Sequence, residues 1–463
     1  MPGEDAGSNP ATDHGISFRE ALAVWSRIAL LSFGGPAGQI ALMHRILVDE
    51  KRWIGENRFL HALNYCMVLP GPEAQQLAIY IGWLLHRVWG GIVAGVLFVL
   101  PGFVAILALS VLYAGYRELQ FVDALFYGLA PAVMAIVAEA VFRIGRRALK
   151  NAAMVTIAAL AFIAIFVFEV PFPLIIIAAA LVGFIGARWR QEHFVVIRLH
   201  EADGDSHALS DGGQDRQAPS AKRALAVTSI CLALWFTPLV VLGLTLGGSS
   251  VFVQEGVFFS KAAVVTFGGA YAVLAYIAQQ AVDVHGWLLP GEMLDGLGMA
   301  ETTPGPLIQV VQFVGFMGAY RAAEAGMLAT MHPMLAGALA SLLVTWVTFV
   351  PCFLWIFLGA PYIERLRGNV SLTAALSGIT AAVVGVVLNL AVWFALHTLF
   401  EDVGERHWRS LRILLPEVST LDAVALAIAL GAFIALFRYR LGMLRTLGIA
   451  VLIGLAYRLV FGG

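Results

Sequence analysis

Charge is what this chain has least of. Only 13% of its 463 residues are Asp, Glu, Lys or Arg, against about a quarter in a soluble domain. Hydrophobic residues make up 60% and the mean hydropathy is +0.84. A soluble globular fold is therefore excluded. Apolar runs of roughly 18 or more residues recur along the chain, which is the signature of a polytopic helical membrane protein. Strand-like alternation is weak, which argues against a β-barrel. The net charge of −1 gives no reason to expect a nucleic-acid partner. Cys66, Cys231 and Cys352 lie in or beside apolar segments, so neither a disulfide framework nor a metal cluster is expected. No H-E-x-x-H, G-x-S-x-G or Walker loop is present, and the lone Gly296-Leu297-Gly298 follows no strand. An enzyme is not expected, nor is a cofactor, and transport without an ATP site must run on ion gradients or membrane potential. Residues 1–17 form a polar tail without the basic-then-apolar pattern of a cleavable signal.

Apolar segments cover about 18–47, 59–85, 88–113, 121–142, 152–168 and 172–187. Residues 188–223 turn polar and read as a cytoplasmic linker. A linking span, within 224–250, follows. The pattern then restarts over 251–281, 287–320, 327–358, 371–399, 421–437 and 441–461. The chain thus divides into an N-terminal membrane repeat, 18–187, and a C-terminal one, 251–463.

The repeat holds register. At an offset of 234 residues Arg27 meets Lys261, Ser32 meets Thr266, and Phe33-Gly34-Gly35 meets Phe267-Gly268-Gly269. Trp53 meets Trp287, Pro70-Gly71-Pro72 meets Pro304-Gly305-Pro306, and Gln75 meets Gln309. Further on the offset becomes 250, pairing Pro101 with Pro351 and Gly128 with Gly378. Apolar sequence alone would match Leu and Ala, not this set. The fold class expected is all-α: two homologous halves of about six apolar segments each, plus one linking span, about 13 in total. If all six segments cross, the halves are inverted repeats with broken helices. If the Pro-Gly-Pro segments are re-entrant instead, five crossings plus one leave the halves parallel. Basic residues favour inversion, with Arg143, Arg146, Arg147 and Lys150 marking one inside loop, although Lys51, Arg52 and Arg58 then fall outside.

Helix breakers inside apolar segments free backbone groups that water cannot reach, and matched breaks in two halves point to a transport site. Pro36, Pro70, Pro72, Pro304 and Pro306 are the breakers here. A helix from Pro72 to about Leu85 would be roughly 21 Å long, too short for a hydrocarbon core of about 30 Å. Its N-terminus then sits at depth with free N–H groups, as does that after Pro306, which suits a tetrahedral oxyanion. Gly34, Gly35, Gly71, Gly268, Gly269 and Gly305 let the backbone turn and approach a ligand; close helix packing is the alternative for the paired glycines. Arg27 and Lys261 are candidates for attracting the anion. Ser32, Thr266, Gln75, Gln76 and Gln309 are candidates for hydrogen-bonding it. Glu73, whose counterpart is Leu307, and His44 are candidates for a coupled proton. Glu139 reads as an interhelical hydrogen-bonding group.

The runs Ser32-Phe33-Gly34-Gly35-Pro36 and Leu69-Pro70-Gly71-Pro72-Glu73-Ala74, with Trp53 and the second copy, resemble the chromate ion transporter (CHR) family in its long, two-domain form. The resemblance implies antiparallel halves and export of chromate across the bacterial inner membrane, conferring resistance. Sulfate is the natural competing substrate. The partners implied are chromate and the lipid bilayer, with a homo-oligomer as a candidate assembly. Transport of sulfate or another oxyanion, and passive anion conduction, are the alternatives. Ala270 and Glu301-Thr302-Thr303 depart from the first copy, which sets symmetric roles for the halves in doubt.

Overall fold

The computed structural model describes residues 15–116, 119–195, 220–267, 269–328, 331–360, 370–408 and 411–461. Broken helices dominate its first hundred residues. α1 (Phe18–Leu31) stops at residues 32–34, and α2 (Gly35–His44), continued by a π-helical turn (Arg45–Glu50), runs back beside it. Lys51 Nζ donates to Glu20 at 3.0 Å and Arg27 to Glu50 at 2.8 Å, so the two ends of this hairpin lie together. α3 (Glu56–Cys66) and the first limb of α4 (Glu73–Tyr116) form a second hairpin around Pro70-Gly71-Pro72, with the Tyr65 and Tyr80 rings 5.8 Å apart across it. α4 reverses at His86 and Arg87, the latter at φ 55°. Its second limb returns along the first because Gly82 and Gly90 carry no side chain where the two backbones touch.

α5 (Gln120–Ala148), α6 (Ala152–Phe166), α7 (Phe172–Trp189) and the short α8 (Gln191–Phe194) complete the first half. Asn151 caps α6 by accepting from Met154 N–H at 3.0 Å. α9 (Ala221–Leu246) links the halves. The second half repeats the order: α10 (Val251–Val265), α11 (Ala270–Gln279) with a π-helical turn (Gln280–Val284), α12 (Glu292–Thr302), a 3-10 turn (Leu307–Gln309), α13 (Val310–Glu324), α14 (Pro333–Gly359), α15 (Val370–Leu399), α16 (Ala423–Phe437) and α17 (Met443–Phe461). The match extends to single bonds. Trp53 and Ile54 N–H both donate to Leu47 O, and Trp287 and Leu288 N–H both donate to Ala281 O.

Two features differ from the sequence reading. An antiparallel β-hairpin, β1 (Val403–Trp408) and β2 (Leu411–Pro416), sits between α15 and α16. It shifts the repeat again, so Gly183 corresponds to Gly454, 271 residues on. Among the described residues seven helices, not thirteen, are long and apolar enough to cross a membrane: α4, α5, α7, α9, α14, α15 and α17, with α6 and α16 as shorter apolar helices. The difference has a physical cause. Four apolar segments are cut by glycine and proline into pieces that fold back rather than continue.

The halves interlock. α5 of the first half packs on α17 of the second, where Gly128 and Gly454 meet backbone to backbone. α15 packs on α7 through Gly378, against Ala179 O, and Gly183, against Ala374 O. These are the same two pairs in repeat register. The larger hydrophobic core mixes both halves, and the smaller joins the first two hairpins to Cys352, Ile356 and Phe357 of α14. The hairpin ends are also tied. His86 Nε2 bonds Ile16 O at 3.0 Å, and the Arg223 guanidinium lies over the Trp83 ring at the start of α9. At its far end the second limb of α4 meets the base of the second half, where Tyr113 donates to Asp295 at 2.7 Å.

Adding bulk at these crossings tests the packing. Gly128→Leu and Gly378→Leu should each destabilise the purified protein, since overpacking costs about 1–3 kcal/mol. Gly243→Leu should be neutral, because a β-carbon there meets nothing within 4 Å. Thermal unfolding in detergent, followed by size exclusion, is the measurement.

Candidate functional site

The four hairpin tips meet in two cross-half pairs. Gly71 N–H donates to Thr266 O at 2.8 Å, and Gly305 N–H donates to Ser32 O at 2.8 Å. Thr266 is the repeat partner of Ser32, and Gly305 of Gly71, so the two bonds are one bond seen twice. Both glycines have φ +118°, a conformation that side chains rarely adopt. Both are also crowded: a β-carbon on Gly71 would lie 2.8 Å from Gln76 Nε2, and one on Gly305 3.1 Å from Gly102 Cα. Ser32 Oγ and Thr266 Oγ1 bond back to Ile28 O and Ala262 O at 2.7 and 2.6 Å, which stabilises the last turn before each tip.

The other glycines behave differently. Gly34, Gly35 and Gly269 have φ of 88°, 67° and 102°, and a β-carbon on any of them meets nothing within 4 Å. They turn the chain and border open space. Gly268 lies outside the described residues. Each tip is followed by a helix N-terminus (α2, α4, α11 or the turn leading into α13), whose first N–H groups have no partner within the helix. Pro36 occupies the first turn of α2, where its missing N–H costs nothing.

The buried glutamines hold the tips in shape. Gln39 donates to Ser32 O at 3.4 Å and to Gly305 O, bridging the pair. Gln76 donates to Pro70 O at 2.6 Å. Gln75 donates to Gly95 O at 3.5 Å and Gln309 to Thr345 Oγ1 at 3.2 Å, again matching positions. Each of these amides therefore donates at least one N–H to a protein oxygen. The Oε1 atoms of Gln39, Gln75, Gln76 and Gln309 are left buried without partners. They suit a donor such as water or a protonated oxyanion.

The cations lie elsewhere than the sequence reading expected. Arg27 is about half exposed and paired with Glu50, and Lys261 is exposed on α10. Among the described residues neither makes a hydrogen bond or ion pair to a tip. His44 pairs with Glu56 at 2.5 Å and Asp49 at 3.5 Å, at the hairpin base. Arg143, Arg146 and Arg147, read from sequence as loop residues, belong to α5, which runs on to Ala148. Glu139, Arg143 and Arg147 recur every four residues and share one face of that helix. Arg143 pairs with Glu139 at 3.1 Å. α5 packs on α12 (Glu292–Thr302), which carries Glu301, and Arg147 is exposed near the end of α5. Glu301 is buried and accepts from the Tyr271 hydroxyl, which links the third and fourth tips. The i, i+4, i+8 spacing on α5 was the signal for this arginine face. Gln39, Tyr271 and Glu301 had no such signal.

Known proteins with the same sequence pattern can now be set beside this geometry. Residues 19–184 and 253–456 match the family model described as chromate transporter. The chain is 31% identical over 380 residues to the chromate transport protein of Pseudomonas aeruginosa, covering 80% of each. It is 28% identical over 399 residues to the chromate transport protein of Cupriavidus metallidurans, covering 85% of this chain and 86% of that one. The Bacillus subtilis transporter YwrB is 28% identical over 139 residues, covering 30% of this chain and 71% of its own length. No solved structure matches. With the family model matching most of both halves, this chain belongs to the chromate transporter family.

Proposed function

We propose that this protein is a secondary transporter that exports chromate from the bacterial cytoplasm across the inner membrane, through a site at the junction of the four tips. The observation that carries this is the reciprocal pair of bonds, Gly71 N–H to Thr266 O and Gly305 N–H to Ser32 O. They draw together helix N-termini whose partial positive charge favours an anion. The arginine face belongs to α5, which packs on α12, the helix that ends beside the fourth tip. In this reading Arg143 and Arg147 are the candidates to supply the full charge that a dianion needs, Arg27 being tied to Glu50 at the hairpin base. Sulfate, a dianion of the same shape, competes for the site. An interior-negative potential expels an anion with about 2.3 kcal/mol per charge per 100 mV, so export needs no nucleotide. Passive anion conduction is the second reading, and the open space beside Gly34, Gly35 and Gly269 is what favours it.

The halves are inverted in this reading. Support comes from the second limb of α4, which leaves the base of the first hairpins at His86 and meets the base of the second half at Tyr113. It also comes from parity. With the hairpins re-entrant and the shorter α6 counted as a crossing, the second limb of α4 and helices α5, α6, α7 and α9 make an odd number of crossings. Lys51, Arg52 and Arg58 then share the inner side with Arg188, Arg190, Lys222 and Arg223, and the positive-inside rule is obeyed.

Reconstituted vesicles test the function: labelled chromate should exchange against unlabelled chromate, and unlabelled sulfate should slow it. Absence of counterflow with chromate conduction intact would leave only the channel. Arg143→Gln and Arg147→Gln should lower counterflow about tenfold or more, the scale of one lost charge-assisted contact of about 1.5–3 kcal/mol. Arg27→Gln should change it by less than about twofold. Gly71→Ala and Gly305→Ala should both abolish exchange, each at about 1–3 kcal/mol of backbone strain, with insertion into the membrane retained. For sidedness, Lys51→Cys should react with an impermeant thiol reagent only from the inner face and His285→Cys only from the outer. Background is low because Cys66, Cys231 and Cys352 are buried.

A further inference from the structure

The second half holds a buried carboxyl that the tip junction does not use. Glu255, in the second turn of α10, is 0% exposed. Both of its carboxyl oxygens are buried and have no hydrogen-bond partner. Space for them is made by two glycines of α13. A β-carbon on Gly315 would lie 3.4 Å from Oε2, and one on Gly318 would overlap Oε1 and press on the Trp287 ring.

The internal repeat serves as a control for this position. At the 234-residue offset Glu255, Gly315 and Gly318 correspond to Ala21, Ile81 and Leu84. The first half fills the same place with aliphatic side chains, and Ala21 and Ile81 are buried there. Hydrocarbon therefore satisfies the fold at this position. In the second half, two large side chains are replaced by glycine and a carboxyl is introduced. A lone carboxyl within an apolar segment is costly and marks function by default.

The surroundings narrow what it can bind. On α13, Arg321 is held by Glu292 at 2.7 Å and by Trp287 O at 2.8 Å. Asp295 of α12 is bound by Tyr113, and His285 stacks on Trp287. On α11, Tyr271 is held by Glu301, and Tyr276 packs on Phe258. α14 carries no charged residue, and α9 carries none after Arg223. Lys261, on α10 itself, is exposed. Among the described residues no cation pairs with Glu255, and no second oxygen lies within bonding distance to complete a shell for a metal ion, which needs about six. An unpaired buried carboxyl persists only in its neutral form.

We propose that Glu255 is a proton-binding site, protonated in this conformation and ionised in another, which couples proton movement to anion transport. The step is a transfer of one proton from the carboxyl to water on one face and its recovery on the other. No bond of the anion changes. Because its counterpart is Ala21, the site supplies one proton per cycle. The coupling role rests on the transport reading above; the protonated state does not.

Two measurements on wild type and Glu255→Gln, whose amide copies the size and neutrality of the protonated acid, decide the matter. The first is an infrared difference spectrum of the purified proteins near neutral pH. Wild type should show a protonated-carboxyl band that shifts in heavy water and is missing from the variant. The second uses proteoliposomes. Glu255→Gln should keep chromate counterflow within about twofold of wild type, and chromate accumulation driven by an imposed pH gradient should fall about tenfold, to the level without a gradient. Glu255→Asp, which can still titrate, should restore part of that accumulation. The proposal is overturned if the band is absent from wild type, if Glu255→Gln keeps its response to the pH gradient, or if the folded variant loses counterflow as well. Wild type without counterflow would instead sink the transport reading, and the infrared band would still decide whether Glu255 is protonated.

Discussion

A backbone polar group inside an apolar layer has to find a partner in protein, because lipid offers none. Four breaks in this chain expose such groups, and the structure answers with bonds that cross from half to half. The glycine N–H of each Pro-Gly-Pro tip takes the carbonyl of the residue before the other half's Phe-Gly-Gly. Neither half can close its own tips. That requirement accounts for φ +118° at both Gly71 and Gly305, since a β-carbon would strain the turn and strike Gln76 or Gly102. It also accounts for the interlocking of α5 with α17 and of α15 with α7, which holds the tips opposed.

Symmetry in the frame is combined with asymmetry in the chemistry. Gln39, Tyr271 and Glu301 stand in repeat register with Val273, Ala37 and Met67. Glu139, Arg143 and Arg147 stand with Asn389, Trp393 and His397. The backbone bonds that join the tips recur, and most side chains around them do not. Symmetric tips thus carry side chains that differ between the halves, Gln39 in the first and Tyr271 with Glu301 in the second. Duplication fixes where helices break; divergence after duplication decides what the break binds.

Much of the fold was legible because breaks and repeats are local patterns. Pro-Gly-Pro and Phe-Gly-Gly could be found, paired and recognised as deep helix ends from spacing alone. The number of crossings could not, since whether a broken segment continues or folds back depends on contacts such as Lys51 with Glu20, far apart along the chain. The β-hairpin between α15 and α16 is short, and its residues read as a charged loop. Arg27 and Lys261 repeated in register and so drew attention, yet Arg27 serves the hairpin base with Glu50. Arg143 and Arg147 were hidden by the assumption that a basic run ends a span. Glutamine was read as a donor to ligand, but in a buried turn the nearest acceptor is a protein carbonyl, and Gln76 takes that of Pro70.

The same contacts limit how such a molecule can move. Rocking one half against the other would have to part Gly128 from Gly454 and Gly378 from Ala179 O, where backbones touch and no side chain can slide to compensate. The hairpins have such contacts on one side only, at Gly82 with Gly90 and at Gly305 with Gly102. The first and second hairpins have ends fixed by polar bonds at their bases, and their tips are joined across the halves by one backbone hydrogen bond each, with Gln39 adding a second at the Ser32–Gly305 pair. A net hydrogen bond contributes only about 0.5–1.5 kcal/mol. The Gly71–Thr266 bond, without a bridging glutamine, is the cheaper of the two to part. The two latches have the same backbone bond, and only the Ser32–Gly305 latch is reinforced by a side chain, Gln39, whose repeat counterpart is Val273.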